Sequence, residues 1–480
     1  MGVGFLDACP LGQGMQGHVF RLFKHYVPRS VLLLGLLDFV LLILAAETGW
    51  VVRALQIGMA VDPMINRAGP LITFAVSIEL AMIAVGVYGV DALHSVRFAA
   101  ARLLVAMSFG VILISMLFFA LPGITLWRSN ALYALGFSYL ALILVRTLFG
   151  SLLGSEGFKR RLLVLGAGPR AARIRALAAE RGVSFIVVGH VAMNDCESII
   201  PTAINRDHIE SIAEHATLLN ASEVVLALEE RRNALPLADL IRVKTTGVHV
   251  NEISSFLERE TGRVDLDSVN PSWLIFSDGF SSGRFFSTLA KRCFDIAASL
   301  TLLLLTMPLV IVTAIAIKLE SRGPAFFSQE RVGLYHQNFV LFKLRSMRQD
   351  AEVEGQAVWA QHDDPRITKI GKWIRKLRID ELPQVWNVLK GEMSFVGPRP
   401  ERPQFVADLE AQLSYYAERH MVKPGITGWA QVNYPYGASL EDARHKLEYD
   451  LYYAKNYSPF LDVLILLQTF RVVLWPDGAR

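Results

Sequence analysis

The sequence predicts a multi-pass membrane protein in three parts: a region of four membrane helices, a small parallel α/β domain, and an α-rich C-terminal part carrying one more long apolar segment. Three observations predict this. Charged residues make up 19% of the 480-residue chain and apolar residues 52%, whereas about a quarter of residues are charged in soluble proteins. The apolar excess is concentrated in the first 150 residues and again near 296–319. Between these regions the pattern changes to short apolar strands alternating with helical stretches, the signature of a parallel sheet.

Four stretches each supply the roughly 20 apolar residues a membrane helix needs: Val31–Leu55, Pro70–Val90, Arg102–Leu121 and Ala131–Leu152. About 30 mixed residues precede the first, so it reads as a retained helix rather than a cleaved signal. Arg21, Lys24 and Arg29 precede the first span, Arg97 and Arg102 lie between the second and third, and Lys159, Arg160 and Arg161 follow the fourth. The loops on the other side carry Arg53 and Arg67, and Arg128. Basic residues favour the cytoplasmic face, which places both ends of this region there. Glu79, near the middle of the second span, reads either as a functional membrane carboxylate or as a structural acid with a helix partner. Asp38 lies nearer an interface.

Arg161–Gly168 reads RLLVLGAG, a strand running into glycines. A helix is expected over Pro169–Arg181 and further strands over Phe185–Val191 and Glu223–Leu228, together a Rossmann-like domain. Gly166 and Gly168 would let backbone amides approach a phosphate. The third glycine position is Ala171, and no acid follows about 20 residues on to hold a ribose. Nucleotide binding and a purely structural or regulatory module both remain open. Gly262–Arg284 is rich in Ser, Gly and Asp and reads as a connector, with Trp273–Phe276 packing on a neighbour. The expected boundaries are 1–157, 158–262, a linker over 263–287, and 288–480.

The net charge of +4 is too small to imply nucleic acid. Cys9, Cys196 and Cys293 have neither metal nor disulfide spacing and read as small apolar residues.

The last part opens with Lys291 and Arg292, an apolar run from Ile296 to Leu319, and then Lys318 and Arg322. Pro308 lies midway and removes a backbone donor. A helix that enters, bends at Pro308 and leaves on the same face fits the basic flanks; a plain fifth span is the alternative. Gln329, Arg331, Lys343, Arg345 and Arg348 cluster next, with a strand-like stretch over Phe339–Met347. In Ile370–Arg378, Ile370, Trp373, Ile374 and Leu377 share one helix face among cations, a pattern suited to a membrane interface or to core packing. Asp380 and Glu381 follow. Pro383 then suits the first turn of a helix over Gln384–Lys390, so the carboxylates sit at a helix N-terminus. Alone, such a pair reads as a cap. Gly397-Pro398-Arg399-Pro400 stiffens the backbone around Arg399, and Lys423–Trp429 is a second rigid loop. Phe460–Trp475 reads as a docking or in-plane helix.

Taken together, KRCFD at 291–295, Pro308, QERVG at 329–333, FKLRSM at 342–347, the run DPRITKIGKWIRKLRIDELPQVWNVLKGEMSFVGPRP at 364–400, and KPGITGWAQVN at 423–433 carry a resemblance. Residues 288–480 resemble the bacterial polyprenyl-phosphate sugar-1-phosphate transferases, the monotopic phosphoglycosyl transferases. The whole layout is similar to their long exopolysaccharide-initiating members. The resemblance implies an α-rich monotopic catalytic domain with a re-entrant membrane helix broken at Pro308. It implies transfer of a hexose-1-phosphate from a UDP-sugar to polyprenyl (undecaprenyl) phosphate with release of UMP, at the cytoplasmic face of the bacterial inner membrane. Asp380 would be the nucleophile, and Glu381 would complete the dyad, with Mg2+ held by Asp380 and Glu381. Arg375 and Arg399 would bind phosphate, with Lys343, Arg345, Arg366 and Arg378 as further basic residues. A membrane homodimer is also implied. Met307 departs from the Ser often found before the proline, and Leu377-Arg378-Ile379 departs from a common Ser before the dyad. Two other readings compete: a lipid glycosyltransferase that releases UDP, and a non-enzymatic membrane nucleotide sensor.

Overall fold

The computed structural model describes residues 19–22, 25–61, 63–88, 96–124, 126–153, 159–180, 183–193, 199–229, 236–269, 285–348, 366–435, 437 and 439–474. Lys24, Cys9, Cys196, the Trp273–Phe276 patch, Asp364, Pro365 and Trp475 lie outside them. The described residues form two compact units.

The first unit holds the residues up to Val76, then Val96, then those of 123–256. A hairpin of β1 (Val19–Leu22) and β2 (His25–Pro28) leads into α1 (Arg29–Ile57). The start of α2 (Ala68–Val85) also belongs here. α1 packs along α4 (Arg128–Leu153). Asp38 is fully buried and receives two hydrogen bonds from Arg146, at 3.1 and 2.6 Å. Asp38 thus lies inside the protein against a fixed countercharge, as a charge among apolar helices requires. Arg67 forms an ion pair with Glu47.

The same unit contains a five-stranded parallel sheet in the order β5-β4-β3-β6-β7. Its members are β3 (Arg160–Leu165), β4 (Phe185–Ala192), β5 (Ile204–Asn205), β6 (Glu223–Leu226) and β7 (His249–Glu252). Leu163, Leu165, Val191 and Val224 are buried against α6 (Ile212–Leu218) and α7 (Leu237–Thr245). The glycine turn after β3 has a structural cause. Gly166 has φ +135°, and a Cβ there would lie 2.6 Å from the Ala227 carbonyl oxygen. Only glycine allows this backbone approach. Gly168 caps α5 (Pro169–Ala178).

The second unit holds residues from Ser77 to Tyr88, Arg97 to Pro122, and Leu257 onward. It includes most of α3 (Val96–Ala120). Glu79 accepts a hydrogen bond from the Tyr88 hydroxyl. The division between the two units falls at Phe256 and Leu257, inside α8 (Ile253–Thr261). Val264 is buried and its amide donates to the Glu448 carbonyl at 3.0 Å.

α9 (Phe285–Glu320) runs through Pro308 as one helix. Among the described residues, five helices are long and apolar enough to cross a membrane; α9 supplies the fifth, over Thr288–Glu320, where only 11% of the most apolar window is buried inside the protein. Such a surface needs an apolar solvent, so the chain is membrane-associated. β8 (Phe326–Val332) and β9 (Asn338–Leu344) form an antiparallel hairpin. α10 (Lys369–Lys376), α11 (Gln384–Lys390), β10 (Ser394–Val396), α12 (Pro403–Gln412), β11 (Gly425–Thr427), α13 (Trp429–Asn433), α14 (Leu440–Asn456) and α15 (Pro459–Leu474) complete a helix-rich domain. Its core gathers Trp429, Leu447, Leu451, Tyr452, Leu461 and Ile465. α15 therefore docks through Leu461 and Ile465.

Candidate active site

Asp380 and Glu381 lie in a short 3-10 turn, Ile379–Glu381, between α10 and α11. Arg378 precedes it in the left-handed region (φ 57°, ψ 20°). This single reversal lets α10 end and the chain turn directly into the dyad. Thr368 caps α10 by accepting from the Gly371 amide at 2.9 Å. α11 is fixed to β9 by the buried Asn387, whose amide donates to the Val340 carbonyl at 2.7 Å and whose oxygen accepts from the Phe342 amide at 3.2 Å. Lys343, next on β9, is thereby set opposite the dyad.

The two carboxylates have different surroundings. Glu381 Oε1 accepts from Arg399 at 3.0 Å and from Lys343 at 3.5 Å, with Arg378 at 3.7 Å. Burial opposes its charge, but Arg399, Lys343 and Arg378 outweigh burial and hold its pKa near 2. Asp380 is 9% exposed, and its Oδ1 has no hydrogen-bond partner. Burial and then the Glu381 charge push its pKa up, against the pull of Lys343, Arg375 and Arg378. Burial also lowers Lys343, to about 8, despite the Glu381 charge that raises it. The dyad thus consists of one acid locked in ion pairs and one buried carboxylate with an open oxygen.

Arg399 is placed by two loops that meet through glycine. β10 and β11 pair in parallel, Ser394 with Gly425 and Val396 with Thr427. A Cβ on Gly397 would lie 2.2 Å from the Lys423 carbonyl oxygen, and one on Gly425 would lie 2.1 Å from the Gly397 nitrogen. Beneath them, Arg419 donates to the Arg399 carbonyl at 2.9 Å and to Asp450 at 2.8 Å, while Tyr416 accepts at 2.8 Å. A recess beside the dyad is lined by Arg331, Leu341, Lys343, Gln384, Arg399, Pro400 and Gly425.

The structure therefore brings together Asp380, Glu381, Lys343, Arg378 and Arg399, with Arg375 acting on Asp380. It places Arg345 elsewhere. That guanidinium is buried at the end of α9, donating to the Arg322 and Ser321 carbonyls at 2.8 and 2.9 Å. Arg366 lies beside the Met347–Ile367 bridge, where its carbonyl accepts from the Arg348 amide at 2.9 Å. Pro308 is a position in α9 outside the dyad. Sequence reasoning did not single out Gln384, Asn387 or Arg419. Arg331 was noted only as part of a cationic cluster.

Both ends of α9 are tied to this domain. Lys291 bonds Asp462 and the Val396 carbonyl, at 2.6 and 3.0 Å. Arg292 donates to the Val388 and Leu389 carbonyls, both at 2.7 Å, at the end of α11. Asp295 accepts from Ser394 at 3.0 Å. At the other end, Glu320 accepts from the Lys369 amide at 2.8 Å and so caps α10. Ile317 packs with Leu344 and Ile374. On the α10 stripe, Ile374 is buried while Trp373 and Leu377 are 67% and 61% exposed, so the stripe divides between core and surface.

Residues 286–476 match the family described as bacterial sugar transferase. Over 190 residues the chain is 43% identical to an uncharacterized sugar transferase, EpsL, of Bacillus subtilis, covering 40% of this chain and 90% of that protein. The chain belongs to the bacterial sugar transferase family. This sugar transferase family member is also similar to the UDP-N-acetylgalactosamine-undecaprenyl-phosphate N-acetylgalactosaminephosphotransferase of Aeromonas hydrophila, at 47% identity over 232 residues, 48% of this chain. It is 47% identical over 196 residues, 40% of this chain, to the undecaprenyl-phosphate glucose phosphotransferase of Komagataeibacter xylinus. The matches span 53% and 37% of those two relatives, and all the family's motifs named above fall within them or within the family match.

Proposed function

We propose that this protein transfers a hexose-1-phosphate from a UDP-sugar to undecaprenyl phosphate, through a covalent intermediate on Asp380. The observation that carries the reading is the pairing of a buried, open Asp380 oxygen with a neighbouring acid already saturated by cations. Asp380 attacks the β-phosphorus. The bond from that phosphorus to the bridging oxygen breaks, and UMP leaves with the electron pair. A phosphate oxygen of the lipid acceptor then attacks the same phosphorus, restoring Asp380 and giving the lipid diphosphate sugar.

Arg375, Arg378, Arg399 and Lys343 supply the positive field for the transferred phosphoryl group. Glu381 holds Arg399 and Lys343 in place before substrate arrives. Mg2+, a hard cation that takes oxygen ligands, would be held by the Asp380 oxygen that does not attack phosphorus, whereas Glu381 has less to offer because its Oε1 is already engaged. Bound there, Mg2+ would offset charge on the pyrophosphate. Gln384 and Arg331 line the recess beside the dyad.

We further read α9 as a re-entrant helix, bent at Pro308, because both its ends are anchored to one domain while its middle is apolar and exposed. In this reading the dyad lies at the cytoplasmic face of the inner membrane, where UDP-sugars are found. The parallel sheet is read as a Rossmann-like module, and the pathway as the first membrane step of exopolysaccharide synthesis. The test uses purified protein, undecaprenyl phosphate, Mg2+ and a panel of UDP-sugars, beginning with N-acetylgalactosamine and glucose, the sugars in the relatives' names. UMP release with one of them supports the reading. UDP release, or no nucleotide product with any sugar, overturns it.

A further inference from the structure

Apart from the dyad, His336, Glu410 and His420 converge from three separate elements. His336 lies in the turn closing the β8–β9 hairpin, Glu410 on α12, and His420 in the 3-10 turn Ala417–Met421. We propose that these three side chains bind a divalent transition-metal ion, Zn2+ foremost, and clamp the hairpin to the segment that supports Arg399.

The donor set is two imidazoles and one carboxylate, a set zinc uses with water as fourth ligand. A tetrahedral ion about 2.1 Å from each ligand sets the donor atoms roughly 3.4 Å apart. His336 Nε2 and Glu410 Oε1 are 2.7 Å apart, and all three donor atoms lie within 4.8 Å of one another. The observed separations bracket the required one, so small side-chain rotations suffice. His420 is 6% exposed; its ring lies against the Ala417 backbone, and neither ring nitrogen makes a hydrogen bond of good geometry. An imidazole buried in that condition costs stability unless something ligates it. His336 and His420 rings are 4.5 Å apart between centroids. The ion would differ from the dyad's Mg2+, because imidazole favours Zn2+ and its neighbours while Mg2+ takes oxygen.

The preceding residue, Arg419, holds the Arg399 carbonyl. A metal at His420 would therefore brace an active-site arginine from behind without touching substrate.

The test uses full-length protein in detergent, stripped with chelator and kept in excess Mg2+ throughout. Co2+ is titrated as an absorbing probe, and thermal unfolding is followed with and without Zn2+. The expected result is one tetrahedral Co2+ per chain, displaced by Zn2+, and a rise in melting temperature of about 5–10 °C at hundredfold saturation. His336→Gln and Glu410→Gln, both at more exposed positions than His420, should abolish both signals, and Asp380→Asn should keep them. Absence of a tetrahedral Co2+ spectrum, or one that survives His336→Gln and Glu410→Gln, overturns the proposal.

Discussion

Asp380 and Glu381 are neighbours in sequence with opposite electrostatics, and this sets the pH dependence. In the proposed mechanism ionised Asp380 is the reactive form, and burial followed by Glu381 raises its pKa. Activity should therefore fall with acid at a pH above the ordinary carboxylate range, through Asp380 and not Glu381, which stays ionised down to about 2. Lys343 titrates near 8, so a second limb should appear on the alkaline side. Two substitutions separate the causes in kcat/KM profiles. Lys343→Arg should move the alkaline limb upward. Glu381→Gln removes a charge that raises both Asp380 and Lys343, so both limbs should shift to lower pH. Unmoved limbs in both variants would dissociate these residues from the profile. At this scale the sequence was informative about what the motifs held: Asp380, Glu381, Arg375 and Arg399 stand in short, recognisable runs. It was uninformative about Arg345, because a cation's role depends on which carbonyls a distant helix end presents to it. The same limit hid His336, Glu410 and His420, which meet only after three elements fold together.

Elements place these residues through backbone contact. The β10–β11 pair requires glycine at 397 and 425, since either Cβ would overlap the facing backbone. Gly425→Ala should lower the melting temperature by several degrees, in line with about 1–3 kcal/mol for a forced overpacking. It should also raise KM by displacing Arg399. A variant with wild-type stability and KM would show that the loops tolerate separation. The buried Arg419–Asp450 pair makes a stronger prediction. Arg419→Met leaves a buried carboxylate without its cation, a change of about 3–5 kcal/mol, and removes the donor to the Arg399 carbonyl. Chemical denaturation should show the loss. The helix over Gln384–Lys390 was legible because Pro383 marks its start. The strand β8 was not foreseen, because Phe326–Val332 is mostly exposed and shows little apolar alternation. It becomes a strand through pairing with β9.

Across the whole molecule, the membrane helix and the dyad are mechanically connected. One end of α9 binds the end of α11 through Arg292, and the other caps α10 through Glu320; the dyad lies between α10 and α11. A re-entrant α9 predicts that residues flanking it share one face of the membrane. In a background lacking Cys9, Cys196 and Cys293, single cysteines at Ser287 and Ser328, on either side of the apolar stretch Thr288–Glu320, should both react with an impermeant maleimide in inside-out vesicles only. Labelling from opposite sides would make α9 a full span. Composition made the membrane association legible, but hydropathy alone left that topology open, because a straight span and a bent helix share one apolar profile. The central claim concerns the bond formed at Asp380. The most direct measurement is mass spectrometry of protein quenched after exposure to its UDP-sugar and Mg2+ without lipid acceptor. The account predicts one sugar-phosphate adduct on the peptide containing Asp380, absent in Asp380→Asn. An adduct on another residue, or full turnover by Asp380→Asn, would contradict it.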